Sequence, residues 1–345
     1  MKIVFDPPFS KSNEYSNLIT SYLIEKGYTI YSFDEIFESR NKFFSVKVVH
    51  LNWFEVIGSY YGFIKKLVRI FLLLVFRKKI IWTMHNKSPH TKKLLMLQKV
   101  LYLLIAKISH RIVIHSKVSE KILVQGCKIR KEKIEYIPHP HYIGVYGNLQ
   151  SNNKICSSKL KLLFFGAVRP YKNIELLLKV ANEFQDEIEL YIAGKPESNE
   201  YKRQIEELAE EKSNVNLELD YIDNKRLISL LSEYELAVLP YDIRSSLNSG
   251  SIILCFSYAK SVIVPVIGTI NDIPDKSYLL SYEYGDEKEH YNKLVEKISE
   301  AIEMKKKDHD VFKKWGEEMF EYVKENNGTQ NSQERFKQLY ESILN

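Results

Sequence analysis

The sequence predicts an α/β protein made of two doubly wound domains, and three observations carry that expectation. Short runs rich in β-branched and aromatic residues alternate with longer segments of helical periodicity along nearly the whole chain. Continuous runs of that kind, alternating with helices, argue for a parallel sheet covered on both faces. The 345 residues exceed one ordinary core and suit two domains of roughly 150 residues each. One loop-like stretch, GVYGNLQSNNKICSSK at 144–159, interrupts the pattern.

In the first half, Lys2–Phe5 reads as a buried strand and Asn13 as the cap of the helix that follows. That helix places Tyr15, Leu18, Ile19, Tyr22 and Leu23 at helical spacing and stops at Gly27. Strand-like runs follow at Tyr28–Phe33, Val46–Leu51, Lys79–Met84, Arg111–His115 and Ile134–Ile137. The second half restarts the alternation with strands Leu160–Phe165, Ile188–Ala193, Val215–Glu218, Leu236–Leu239 and Val262–Pro265. Helices are expected at Ile174–Phe184, Glu200–Glu211, Lys225–Ser232, Ser251–Tyr258, Glu287–Lys305 and Val311–Glu325. The expected division is therefore a first domain over 1–145, a linker over 146–159 and a second domain over 160–325. A tail helix over 326–345 can return to the first domain. In such sheets ligands bind beyond the carboxyl ends of the strands, which directs attention to the loops after Met84, Ile137, Phe165, Ala193 and Leu239.

Composition narrows the functional classes. Cys127, Cys156 and Cys255 lie far apart with no C-x-x-C spacing, so neither a disulfide framework nor a zinc site is suggested. A reducing, cytoplasmic setting is expected, and the short apolar opening Met1–Phe5 lacks the form of a signal peptide. The net charge of +6 hides an asymmetry: residues 1–150 carry 24 Lys and Arg against 10 Asp and Glu, the remainder 26 against 34. Between Glu55 and Glu120 there are 13 basic residues and no acidic one. Within that span, YYGFIKKLVRIFLLLVFRKK at 60–79 and KKLLMLQKVLYLLIAK at 92–107 are apolar segments rimmed by cations. Neither holds the ~20 apolar residues that span a bilayer, so the expectation is peripheral contact with the anionic inner face of a membrane. Helices packed on a sheet would show the same apolar faces. Nucleic acid is not expected as a partner, because the cations interleave with aliphatic residues and no reader motif is present.

The segment from Phe164 to Asn173, FFGAVRPYKN, leaves a strand and enters a helix. Gly166 permits close approach of a ligand, and Arg169 and Lys172 put two cations beside a helix N-terminus, a combination suited to a diphosphate. An ordinary strand–helix turn with solvated cations is the alternative. Ser249-Gly250-Ser251 opens a helix after a loop and reads as an anion nest, or more simply as an N-cap with a turn glycine. His85 follows an apolar strand in a polar loop that also holds Asn86 and His90, and His139 and His141 follow the last strand of the first half.

Taken in order, FFGAVRPYKNIELLL, YIAGKP at 191–196, LELDYID at 217–223, AVLPYD at 237–242, NSGSIILCFSYAKSVIVP at 248–265 and GTINDI at 268–273 resemble the second-domain motifs of the group 1, family 4-like, glycosyltransferases. WTMHNKSPH at 82–90 and IPHPHY at 137–142 are similar to first-domain motifs of a bacterial polysaccharide-assembly branch. The resemblance implies the GT-B fold, two Rossmann-like domains facing a central cleft, and transfer of a hexose from UDP-hexose or GDP-mannose to a lipid-diphosphate-linked glycan during O-antigen or capsule synthesis. It implies a donor site at Gly166, Arg169, Lys172, Tyr241, Asn248, Ser249, Gly250 and Ser251, with the cations stabilising the departing diphosphate. It makes His85, Asn86 and His139 the catalytic candidates, His85 as general base or sugar contact and Asn86 as the residue orienting it or the sugar. His115, Tyr15 and Asn13 are further candidates. The nucleotide sugar is a co-substrate, and neither a cofactor nor a metal is expected.

One departure stands out. Many relatives carry two glutamates, eight residues apart, where this chain has Ser246 and Leu254. Sugar and ribose recognition must therefore differ, and retaining stereochemistry does not carry over. A non-catalytic sugar- or nucleic-acid-binding protein of the same fold is the alternative reading.

Overall fold

The computed structural model describes residues 1–10, 14–88, 94–149 and 157–344. The chain forms two compact units, one of Met1–Pro140, Arg244–Asn248 and Asn327–Asn345, the other of His141–Ile243 and Ser249–Asn326.

In the first unit, β1 (Lys2–Asp6), β2 (Thr29–Tyr31), β3 (Val48–Asn52), β4 (Lys79–Met84), β5 (Arg111–Ile114) and β6 (Ile134–Tyr136) form one sheet in the order β2-β1-β3-β4-β5-β6. Every pairing is parallel. The continuous apolar runs have a direct cause: successive strand residues fill opposite faces. Ile80 and Trp82 enter one core with the helices Tyr60–Val75 and Leu95–Ile108, while Ile81 enters the other. That second face is covered by the helix Glu14–Glu25 and by the C-terminal helix Thr329–Ser342, which contributes Phe336, Leu339 and Tyr340. Polar contacts fix the C-terminal helix in place. Ser332 Oγ donates to the Pro138 carbonyl (2.8 Å), and Tyr340 Oη lies 2.6 Å from His50 Nδ1.

The second unit has β7 (Leu160–Phe165), β8 (Ile188–Ala193), β9 (Val215–Glu218), β10 (Leu236–Val238), β11 (Ser261–Pro265) and β12 (Leu280–Tyr282). Its order is β12-β11-β10-β7-β8-β9, again parallel throughout. Renumbered from its own start this is the Rossmann order, with the switch point between β7 and β10. In the first unit the order reverses between β1 and β3. Beyond the carboxyl ends of these two strand pairs is where each unit is built to receive a ligand.

Several boundaries differ from the expectation. The second unit begins at His141 because the Tyr142 and Tyr146 amides donate to Ser257 Oγ (2.9 Å) and Tyr258 Oη (2.8 Å). Residues 146–149 and 157–159 of the expected linker therefore belong to it, as do 141–145 of the expected first domain, and 150–156 lie outside the described residues. The segment Arg244–Asn248 leaves the second sheet's sequence and joins the first unit. β12 was not expected, since three residues at a sheet edge give too short a signal. The helices Glu35–Glu38 and Arg40–Ser45 were likewise too short to show periodicity.

Candidate functional site

In the second unit the site grows from the end of β7. Gly166 has φ +108, a value that side-chain-bearing residues rarely adopt, and the glycine at 194 lets the two loops meet: a Cβ there would lie 1.8 Å from the Gly166 carbonyl oxygen. The chain then turns through Arg169, Pro170–Lys172 and the left-handed Asn173 into the helix Ile174–Ala181. This turn folds Lys172 inward. Its ammonium is buried (7% exposed), lies 5.2 Å from the Tyr241 ring centroid and 5.7 Å from that of Phe164, and would be 3.3 Å from a Cβ at Gly166. It makes no hydrogen bond or ion pair among the described residues. Burial, aided by Arg169, lowers its pKa to about 8.

The helix Gly250–Ser257 starts beside the same point. Ser249 caps it: its hydroxyl accepts from the Ile252 amide (3.3 Å) and donates to Tyr241 Oη (3.1 Å), and its own amide donates to Thr269 Oγ1 (3.0 Å). The Ser251 side chain also bonds to Tyr241. The N-cap reading is thus the observed one for Ser249, whose hydroxyl is already engaged. The first-turn amides of Gly250 and Ser251 have no partner inside the helix and carry its positive end. A buried unpaired ammonium is unfavourable by several kcal/mol (~3–5 when a partner is missing). A doubly charged anion placed between Lys172 and these amides removes that cost. Arg169 is exposed and forms no ion pair among the described residues, so it stands at the rim.

In the first unit, residues just past four adjacent strands gather around Tyr15 of the helix Glu14–Glu25. Trp53 follows β3, His85 follows β4, His115 follows β5 and His139 comes three residues after β6. The Tyr15 ring centroid is 5.2 Å from each of His85, His115 and His139, and Trp53 stacks on His85 at 4.0 Å. His85, His115 and His139 are all buried. Burial, reinforced for His85 by the neighbouring imidazoles, holds its pKa well below the ordinary value; His115 falls to about 3 and His139 to about 4. At neutral pH the cluster is uncharged.

The hydrogen bonds assign the tautomers. Asn52 Nδ2 donates to the Asp6 carbonyl (3.1 Å), so Asn52 Oδ1 faces His85 Nε2 (3.0 Å) and can only accept. His85 is therefore protonated on Nε2, and Nδ1, which makes no hydrogen bond among the described residues, keeps its lone pair. His115 is satisfied on both sides, donating from Nδ1 to the Ile137 carbonyl (2.7 Å) and accepting from Tyr15 Oη at Nε2 (2.9 Å). His139 donates from Nδ1 to the Pro140 carbonyl (2.9 Å).

The structure thus brings together His85, His139, His115 and Tyr15 in one unit, and Gly166, Lys172, Tyr241, Ser249, Gly250 and Ser251 in the other. Asn86 is half-buried, and the side chain hydrogen-bonded to His85 is that of Asn52. Asn248 falls with the first unit: its amide and side chain donate to the His85 and Met84 carbonyls at 3.3–3.4 Å. Ser245 Oγ, Ser246 Oγ and Asn248 Oδ1 are buried without a hydrogen bond, which calls for a ligand or solvent partner. His141 lies in the second unit, and Asn13 and His90 lie outside the described residues. Asn52 and Trp53 escaped sequence reasoning. The only available signal was their place at the end of a strand, and Trp53 takes a left-handed backbone (φ 48) that nothing in the sequence announces. Among the described residues no group of three or more His, Cys, Asp or Glu is arranged to hold a metal ion.

The chain is similar to known proteins over its second-unit motifs and in its fold. Residues 148–250 match the family model of glycosyl transferases group 1. A GDP-mannose:glycolipid 4-beta-D-mannosyltransferase of Xanthomonas campestris pv. campestris is 27% identical over 226 residues, a match spanning 63% of this chain and 61% of that protein. Among solved structures, Anabaena HepE in complex with UDP and glucose superposes with a TM-score of 0.73 at 11% identity, covering 99% of this chain and all of that one. WaaG, a glycosyltransferase involved in lipopolysaccharide biosynthesis, superposes at 0.64 and 13% identity over 97% of this chain and 98% of its own. The fold is that of the GT-B glycosyltransferases.

Proposed function

We propose that this chain, a group 1 glycosyltransferase by the match of its second-unit motifs and by its GT-B fold, moves a hexose from a nucleotide sugar to a lipid-linked glycan in bacterial surface-polysaccharide assembly. The observation that carries the reading is Lys172, an ammonium buried without a carboxylate beside Gly166 and the first turn of the helix Gly250–Ser257. In this reading the donor diphosphate sits against Lys172 and the Gly250 and Ser251 amides, with Arg169 closing on it from the rim. As the bond between the anomeric carbon and the diphosphate oxygen breaks, negative charge grows on the leaving group. Fixed donors facing that charge lower the barrier more than they favour the ground state.

His85 serves as the base. The acceptor hydroxyl forms the new bond to the anomeric carbon and gives its proton to His85 Nδ1, the nitrogen that Asn52 leaves unprotonated. The Trp53 ring stacked on His85 restricts its rotation. Ser245, Ser246 and Asn248 offer unsatisfied polar atoms in place of the two glutamates, and sugar hydroxyls are their natural partners. GDP-mannose and UDP-hexose both fit this scheme, the first favoured by the curated relative's own donor and the second by the nucleotide held in HepE.

The test is a thermal-shift and calorimetric panel of UDP, GDP, dTDP and ADP with wild type and Lys172→Met. One diphosphate should stabilise the wild type and lose most of its effect in the variant. Equal binding by both proteins, or no binding by any nucleotide, overturns the donor site.

A further inference from the structure

The helices Tyr60–Val75 and Leu95–Ile108 both pack on the same sheet face, so they lie on one side of the first unit. Each also carries a second apolar row that faces away from that core. On the first, Tyr61, Ile64, Val68, Phe71 and Val75 recur at intervals of three and four and are 53–78% exposed. On the second, Met96, Val100 and Leu103 are 44–73% exposed. The concentration is what matters: of 20 large apolar side chains exposed among the described residues, 13 fall between Phe44 and Leu103, while the second unit exposes only Leu149, Leu208 and Tyr221. Scattered exposed leucines need no explanation, but such a concentration on one side of a unit points to a contact surface.

Charge identifies the contact. From Val56 to Ser119 there is no carboxylate and there are 13 cations. Some of these are committed elsewhere: Lys65 and Arg69 pair with Asp34, and Lys66 donates to the Phe54 and Val56 carbonyls. Arg77, Lys99 and Lys107 are exposed, make no ion pair among the described residues and flank the two rows. A second copy of this chain would oppose cations to cations across such a face, with no acid to relieve them. A nucleic acid would answer the cations and leave the aliphatic rows against water. An anionic bilayer answers both, taking the side chains at the boundary of headgroups and acyl chains and the cations at the phosphates.

We propose that this face docks the protein on an anionic membrane, with the two helices lying in the interfacial plane. Among the described residues no helix is long and apolar enough to cross a membrane. The docking stands apart from the transfer chemistry and is tested apart from it. Flotation of the full chain with phosphatidylglycerol-containing and pure phosphatidylcholine vesicles, at low and high salt, reads it directly. The wild type should float with the anionic vesicles only and be released by salt. The combined variant Ile64→Ser, Val68→Ser and Phe71→Ser should bind them roughly tenfold more weakly, as should Arg77→Gln with Lys99→Gln and Lys107→Gln. Retention of the nucleotide thermal shift in both variants shows that they are folded and separates this result from the donor site. The proposal is overturned by unchanged vesicle binding in the variants or by no vesicle binding at all. It is equally overturned by salt-sensitive oligonucleotide binding without vesicle binding, or by a lipid-free dimer that the serine variant dissociates.

Discussion

The two units share one architecture and have filled the same place in it differently. At the strand ends of the second unit stands a single buried cation with helix amides nearby; at those of the first stands a ring of uncharged imidazoles around a tyrosine and a tryptophan. Burial acts on both in the same direction, lowering Lys172 to about 8 and His139 to about 4. The outcomes are opposite because the starting values differ. A lysine lowered to about 8 is still largely charged at neutral pH, while a histidine lowered to about 4 is neutral. One surface therefore presents a cation, and the other neutral imidazoles with their lone pairs and N–H groups.

This contrast can be broken experimentally, and the largest effect is expected at His85. His85→Ala should lower kcat by roughly 10²–10⁴ while leaving the nucleotide affinity measured by calorimetry intact; a parallel loss of nucleotide binding would erase the division of labour. Lys172→Met should cost roughly 10²-fold in kcat and weaken diphosphate binding too. It should also abolish a pH dependence. In the wild type, affinity should fall as pH rises through about 8, where Lys172 loses its proton, and in the variant that limb should be flat. Asn52→Asp sharpens the first-unit side: a carboxylate next to His85 Nε2 favours the imidazolium, so the acid limb of the rate profile should move to higher pH. An unmoved limb would remove Asn52 from the positioning of His85.

Stability follows the same logic with its own sign. His50, His115 and His139 have folded pKa values of about 3, 3 and 4 against 6.5 when free, so the unfolded chain binds more protons between those values. Stability contributed by these neutral histidines should be complete above pH 6.5 and should decline as pH falls below it, as a urea midpoint measured against pH will show. The smallest effect is expected from Arg169→Ala. An exposed cation in water contributes at most about 1 kcal/mol, so a loss of only a few-fold in nucleotide affinity is expected; a loss as deep as that of Lys172→Met would mean that Arg169 is enclosed when the donor binds.

Much of this was legible in the residues themselves. β4, β7 and β8 begin and end where the apolar runs do, because a strand buried on both faces must be apolar along most of its length. Gly166, Lys172, Ser249 and His85 stood out because turn chemistry and charge near a helix start are local properties. Tertiary structure alone decided the remainder. That Asn52 fixes the proton of His85, that Asn248 binds the backbone of Met84 and His85, and that Tyr340 meets His50 are contacts across 33, 164 and 290 residues. The same holds for the inward turn of Lys172, whose sequence reads equally well as a solvated cation. Periodicity and composition report which way a side chain faces within its own element. Which partner it meets there depends on how the strands are ordered in the sheet, and only the assembled fold contains that order.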